Sequence, residues 1–280
     1  MQSPKCSSCK LRNAVYFRRE SGEKLCLQCL EKSLIKQVKR EISKWKMLNP
    51  KDKIGFLFFE EFPLISTASF KLLEKIEKNY PSKLYVLIPL TLKLKEELLE
   101  KVEGKLVFNY PRSNDFLKNF RVKREYALME ALRVGVEKIV LPITLDFEVA
   151  YFMYGFLKFN LEVMGETMPK LYVSKYNIYF IKPFRRIKTK ELIIYGFYKG
   201  LFNNIYSLRN KVFFNKIFCA AMQYIEELYC GHFELVDSIL KMSEILVEKL
   251  LKEYGFTGHC SFCGTPVKND LCSVHKSCEC

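Results

Sequence analysis

The chain has 280 residues and a mass of 33.1 kDa, of which 49% are hydrophobic and 28% charged; that is the balance of a folded protein with a proper core in one or two domains, and it excludes a disordered chain. Forty-six Lys and Arg against 31 Asp and Glu leave a formal charge of +15, which favours a polyanionic partner. The most apolar stretch, around Leu141–Leu157, is broken by Asp146 and Glu148, and the opening MQSPKCSSCK lacks an apolar core, so neither a membrane span nor a secretory signal is expected.

The first 48 residues hold 12 basic and 4 acidic side chains, so +8 of the excess sits there. Within them Cys6-x2-Cys9-x16-Cys26-x2-Cys29 has the spacing of a four-thiolate zinc site: each C-x2-C turn aims two thiolates at one point, and the intervening loop returns the second pair. Four protein ligands leave no open position, so the site is expected to be structural. Leu30–Met47 follows as a helix, with Leu34, Ile35, Val38, Ile42 and Trp45 as its apolar stripe and Lys36, Lys39, Arg40, Lys44 and Lys46 elsewhere; Asn49-Pro50 ends it.

Short apolar runs then alternate with helical stretches. Ile54–Phe59, Leu84–Ile88, Leu106–Phe108, Ile139–Leu141 and Ile178–Ile181 read as strands, and Ala68–Lys78, Lys93–Val102, Asn114–Val134 and Phe147–Phe159 as helices. That alternation predicts βαβ units, hence an α/β domain with a doubly wound parallel sheet. Thr189–Tyr198, Lys211–Leu228 and Phe233–Tyr254 read as a helical extension. The expected segments are 1–30 for a first zinc module, 31–50 for a linker helix, 51–200 for the α/β domain, 201–256 for the helices and 257–280 for a second zinc module.

That second module is Cys260-x2-Cys263-x8-Cys272-x2-His275, with Gly264 and Pro266 suiting the tight turn. Cys278 and Cys280 are alternatives to His275 as the fourth ligand. Paired cysteines without a secretory signal point to metal sites in a reducing, cytoplasmic compartment. Cys219, among Phe218, Ala220 and Ala221, reads as a buried apolar residue.

The order of these parts resembles the two-zinc-finger PP-loop ATPase family of tRNA 2-thiouridine synthetases, over nearly the whole chain. AVYFRRESGEKLC between the first CxxC pairs is similar to the first finger. DKIGFLFFEEFPL stands where the first strand and PP-loop belong, KREYALMEALRVGVEKIVLPITLDFEVA where an arginine pair, a helix and a GHnxDD motif belong, and IKPFRRIKTKELIIYG where an RPL…E stretch belongs. LRNKVFFNKIFCAAMQYIEEL and CSFCGTPVKNDLCSVH resemble the closing helix and second finger. The resemblance implies a PP-loop, HUP-like Rossmannoid fold and a function in tRNA thiolation.

The chemistry departs from the family. SGGxDS, whose glycines let backbone N–H groups surround a pyrophosphate, is replaced by Phe59-Glu60-Glu61-Phe62-Pro63-Leu64. Two carboxylates repel a triphosphate, and Pro63 has no N–H. GHnxDD becomes Pro142-Ile143-Thr144-Leu145-Asp146-Phe147, with Asp146 read as the N-cap of the following helix. The CxxC of the family's iron–sulfur site falls on Leu117-Lys118-Asn119-Phe120, before Lys123-Arg124. Phe56, Phe58, Phe59 and Phe62 are expected to fill the vacated pocket.

The resemblance therefore implies a degenerate member with no catalytic residues: a tRNA-binding subunit of a thiolation complex, holding two zinc ions but no ATP and no iron–sulfur cluster. Its partners would be tRNA and an active PP-loop paralogue or a second copy of itself, in the manner of the non-catalytic subunit of the cytoplasmic wobble-uridine machinery. A free-standing RNA-binding protein and an active sulfurtransferase with altered motifs are the alternatives. Candidate phosphate contacts are Arg18, Arg19, Lys36, Lys39 and Arg40 beside the first module, and Lys123, Arg124, Arg185, Arg186 and Lys188 on the domain's active face; each could equally be a solvated surface cation.

Overall fold

The computed structural model describes residues 4–207 and 215–277. A short hairpin, β1 (Tyr16–Arg18) and β2 (Glu23–Leu25), joins the first two cysteine pairs, and α1 (Leu27–Trp45) begins directly after Cys26. Leu30, Leu34 and Val38 recur at helical spacing on its buried face, while Lys32, Lys36, Lys39 and Arg40 stay exposed.

The central sheet is built from β3 (Lys53–Leu57), β4 (Lys83–Pro89), β6 (Gly104–Phe108), β7 (Lys138–Val140), β8 (Lys170–Val173) and β9 (Ile178–Ile181) in the order β6-β4-β3-β7-β9-β8. All neighbours are parallel except the edge strand β8, which turns back on β9 through a left-handed Asn177 at φ 53°. Tyr172 and Tyr179, opposite each other in that pair, stack at 4.7 Å. The inner strands are apolar on both faces because both are covered. On one side lie α1, α2 (Pro63–Glu77) and α6 (Thr189–Tyr198), closing a core over Ile54, Phe56 and Ile88. On the other lie α3 (Phe116–Arg133), α4 (Leu145–Leu157) and α7 (Lys216–Gly231), closing a core over Leu57, Leu87 and Ile139. Gly55 on this second face admits Leu87, whose Cδ1 would lie 2.9 Å from an added Cβ. The doubly wound architecture expected from the sequence is the one observed.

The strand expected at Ile178–Ile181 and the helix expected at Thr189–Tyr198 match residue for residue, and the remaining predicted elements overlap observed ones, with one exception. Lys93–Val102 is not a helix: Leu92–Leu94 forms β5, paired antiparallel with β10 (Ile205–Ser207), and only Glu96–Leu98 makes a 3₁₀ turn. A strand whose partner lies so far downstream leaves no local period to read. The sequence reading also missed β8 and the short α5 (Leu161–Gly165), which Asn160 caps through Val163 N. The predicted helix start at Lys211, and the alternative ligands Cys278 and Cys280, lie outside the described residues.

The helices α7 and α8 (Phe233–Glu253) pack on α4, and the chain closes with a small ribbon, β11 (Gly258–His259) and β12 (Pro266–Val267), and a one-turn helix α9 (Ser273–Lys276). Among the described residues no helix is long and apolar enough to cross a membrane.

Candidate functional site

In an open parallel sheet the ligand crevice lies outside the carboxyl ends of the strands where their order reverses, here between β3 and β7. The loop leaving β3 carries Phe59-Glu60-Glu61-Phe62 into α2, whose first residue is Pro63. The loop closes on itself. The Phe59 N–H, a group that could face a phosphate, instead donates to Ser66 Oγ at 3.1 Å. Glu60 is buried; its Oε1 accepts from the Tyr110 hydroxyl and from Arg112 Nη2 at 3.0 Å, and its Oε2 lies 2.9 Å from Lys123 Nζ. The same ammonium bonds both oxygens of Glu61. Burial pushes the Glu60 carboxyl up in pKa, but the Lys123 ammonium and the Tyr110 hydroxyl outweigh it and hold it below the usual range. Two carboxylates and one buried cation thus occupy the ground where a phosphate chain would sit. A triphosphate entering would have to break both ion pairs and then face the carboxylates.

The space beside this loop is filled by rings. Phe59 stacks on Phe120 at 5.4 Å, Phe62 meets Phe147 edge-on at 5.2 Å, and Phe116 packs on Phe218 at 5.3 Å and on Tyr151 at 6.2 Å. The filling expected of Phe59 and Phe62 is found, whereas Phe56 and Phe58 lie in the opposite core against Phe70. Residues 117–120 flank this plug without a thiol. Cys219 is exposed and not buried as expected; the buried stripe of α7 is Phe218, Ala221, Ile225 and Leu228, and Cys219 falls one position off it. Asp146 is a cap, but not of its own helix. Thr144 holds the N-cap position of α4, and Asp146 Oδ2 accepts the Thr189 N–H at 2.5 Å, at the first residue of α6. Asp146→Ala should therefore destabilise the fold by about 1 kcal/mol, read as a lower urea midpoint; an unchanged midpoint would show that the contact contributes nothing.

Two ligand tetrads lie near the two ends of the chain. The sulfurs of Cys6, Cys9, Cys26 and Cys29 lie within 4.8 Å of one another, as do the ligand atoms of Cys260, Cys263, Cys272 and His275. In the first, Lys10 at φ 58° turns the chain after Cys9, and Cys26 and Cys29 sit at the start of α1, where free N–H groups favour thiolates. Backbone N–H groups of Arg12 and Leu11 push the Cys9 thiol down to about 6. In the second, Gly264 at φ 72° makes the turn, Cys272 holds the N-cap position of α9, and His275 Nδ1 lies 3.0 Å from Cys272 Sγ. The other ring nitrogen, Nε2, lies 3.1 Å from Glu125 Oε2, a carboxylate that fixes the imidazole's orientation. Two sulfur pairs, Cys9–Cys26 at 3.8 Å and Cys263–Cys272 at 3.7 Å, match the edge of about 3.8 Å expected for a tetrahedron with 2.3 Å metal–sulfur bonds. Each tetrad fits one four-coordinate ion, and thiolates suit zinc and iron alike.

The second tetrad is bolted to the α/β domain through Glu166. That carboxylate is wholly buried and accepts from Arg121 at 3.1 and 3.2 Å, from the Tyr151 hydroxyl at 2.6 Å, from Thr265 Oγ1 at 2.6 Å, and from Arg124. Arg121 also bonds Glu162 and Ser273, and Glu162 takes the Ser273 N–H at the start of α9. Sequence reasoning missed Glu166, Glu125 and Glu162, for which no local signal exists. For Glu60 and Glu61 one did: paired acids in a buried loop demand a cation nearby.

Six of the ten expected phosphate contacts are drawn into ion pairs. Lys123, Arg124 and Arg185 are fully buried and committed, the last to Glu148, Glu41 and Glu244. Arg18 bonds Glu23 and Glu191, Arg186 bonds Asp237 and Glu244, and Lys188 bonds Glu20. Lys123, Arg124 and Arg185, buried among carboxylates, cannot reach a phosphate as they stand, whereas Arg18, Arg186 and Lys188 are partly exposed. Arg19, Lys36, Lys39 and Arg40 are exposed, without an ion-pair partner among the described residues.

No family model matches the sequence, and no curated protein matches it. Among solved structures, the U34-tRNA thiolase NcsA from Methanococcus maripaludis, described with its 4Fe-4S cluster, superposes with a TM-score of 0.77 at 17% identity, over 100% of this chain and 97% of that one. The fold is that of a tRNA thiolase. Phosphoadenylyl-sulfate (PAPS) reductase from Candida auris, in complex with phosphate, matches at a TM-score of 0.33 and 12% identity over 68% of this chain and 90% of that one, too weakly to build on. One expectation falls with this comparison. Two zinc ions with an iron–sulfur cluster ruled out is not a sound cofactor assignment, because a thiolase of this fold spanning the whole chain carries such a cluster, and the chain itself presents two soft-ligand tetrads whose donors do not choose between the metals.

Proposed function

We propose that this chain is a non-catalytic, tRNA-binding subunit of a tRNA 2-thiolation complex, working beside an active PP-loop thiolase paralogue. The observation that carries this reading is the Glu60–Glu61–Lys123 cluster: within a thiolase fold, the loop that would hold the reacting phosphates holds its own side chains instead. The aromatic plug around Phe59, Phe116 and Phe218 supports it, since the adjoining crevice is packed shut. The exposed cations of α1 and the first module supply the remaining role, contact with an RNA backbone, which needs charge and reach more than fixed geometry. Metal at the two tetrads would be structural, each site saturated by four protein ligands.

Affinity isolation of the tagged chain from its native host tests this. Recovery of tRNA together with a stoichiometric paralogue carrying an intact SGGxDS loop is the expected result, and recovery of neither refutes it.

A further inference from the structure

A second depression opens beyond the carboxyl ends of β7 and β9. It is a cavity of about 660 Å3 between the hairpin of the first metal module, α6 and α7, within the size range of small-molecule sites. Ile193 and Met222 contribute apolar wall, and Phe17 stands at its edge with half of its surface (52%) exposed. Deeper in, the Tyr229 hydroxyl is buried facing the Asp146 carboxylate but forms no well-directed hydrogen bond. Beside the cavity, and sharing Glu20 and Lys188 with it, runs a groove of about 340 Å3 lined by Lys36, Gln37 and Arg40. Lys36 and Arg40 here, and Arg19 and Lys190 around the cavity, are exposed and have no ion-pair partner among the described residues.

We propose that this cavity takes one unpaired base of an RNA strand, stacked on Phe17, while its flanking phosphates lie on Arg19 and Lys190 and continue along the Lys36–Arg40 groove. A base offers what the cavity lacks: a flat face for an exposed ring, and polar edge atoms for the Tyr229 hydroxyl and Asp146. The uncommitted cations surround the opening, where a backbone must pass. A duplex keeps its bases stacked inside and can offer this surface phosphates alone. The inference rests on the RNA-binding role proposed above and adds the conformation of RNA that is chosen.

The test is fluorescence anisotropy with the full metal-loaded chain, at fixed salt, using a hairpin RNA with an open loop and a fully paired RNA of equal length. The hairpin should bind about tenfold tighter. Phe17→Ala, on the surface, and Met222→Trp, which fills the cavity, should each abolish that preference while leaving duplex affinity unchanged. Replacing Lys36 and Arg40 together by Ala should weaken both RNAs and lower the salt slope by about 2. Equal affinity for the two RNAs, or a preference that survives Phe17→Ala, overturns the base cavity but leaves RNA binding intact. A chain that binds neither RNA overturns both.

Discussion

Replacing Cys260 by Ala is expected to strip the metal from the second tetrad and unfold the segment around it. That segment has almost no core of its own: its buried apolar cluster is Cys260, Cys263, Val267 and Cys272, three of them ligands. Structural metal of this kind contributes on the order of 10 kcal/mol to the fold it holds. The loss would not stay local. Thr265 and Ser273, which bond Glu166 and Arg121, are positioned by the metal turn and by α9, so the α/β domain loses two partners of buried charges. Elemental analysis should show the metal content of one site gone and the other kept, and the melting temperature of the whole chain should fall. Cys6→Ala should remove only the other site's metal. Undiminished metal in both variants would refute the ligand assignment.

Glu166→Gln should be nearly as damaging. Glutamine keeps the shape but not the charge, leaving Arg121 and Arg124 buried beside a neutral amide; removing one member of a buried ion pair costs about 3–5 kcal/mol. The same carboxylate sets an acid limit on stability. Burial alone would raise its pKa, but Arg121 and then Arg124 outweigh that and hold it down to about 2, against an ordinary value of 4.5 in the unfolded chain. Between these values the unfolded state binds the proton and the folded state does not. The stabilisation is therefore complete above pH 4.5 and is lost as pH falls towards 2, and its size is about 3 kcal/mol at roughly 1.4 kcal/mol per unit. Urea unfolding at stepped pH should show this loss in the native chain and its absence in Glu166→Gln. A variant as stable as the native chain at pH 7 would contradict the role given to Glu166.

What the sequence made legible follows the range of the interactions. The sheet could be read because buried parallel strands are continuous apolar runs, and the tetrads because their ligands come in pairs two residues apart. The edge strand β5 could not, since its partner β10 lies beyond four other strands of the chain. Nor could the long-range polar contacts: Lys123 meets Glu61 across 62 positions, Arg124 meets Thr265 across 141 and His275 meets Glu125 across 150. The excess of Lys and Arg was visible as a number, but not which cations were spent inside. Arg185 and Lys123 looked like RNA ligands only because Glu148, Glu60 and Glu61 were not yet known to be beside them.

The most direct measurement is the 2-thiouridine content of tRNA, by mass spectrometry, after incubation with the purified, metal-loaded chain, ATP and a sulfide donor. With Glu60 and Glu61 held by Lys123 in the loop after β3, the chain alone should form none while still binding the tRNA. Thiouridine accumulating in proportion to the chain, with no other protein present, would contradict the account.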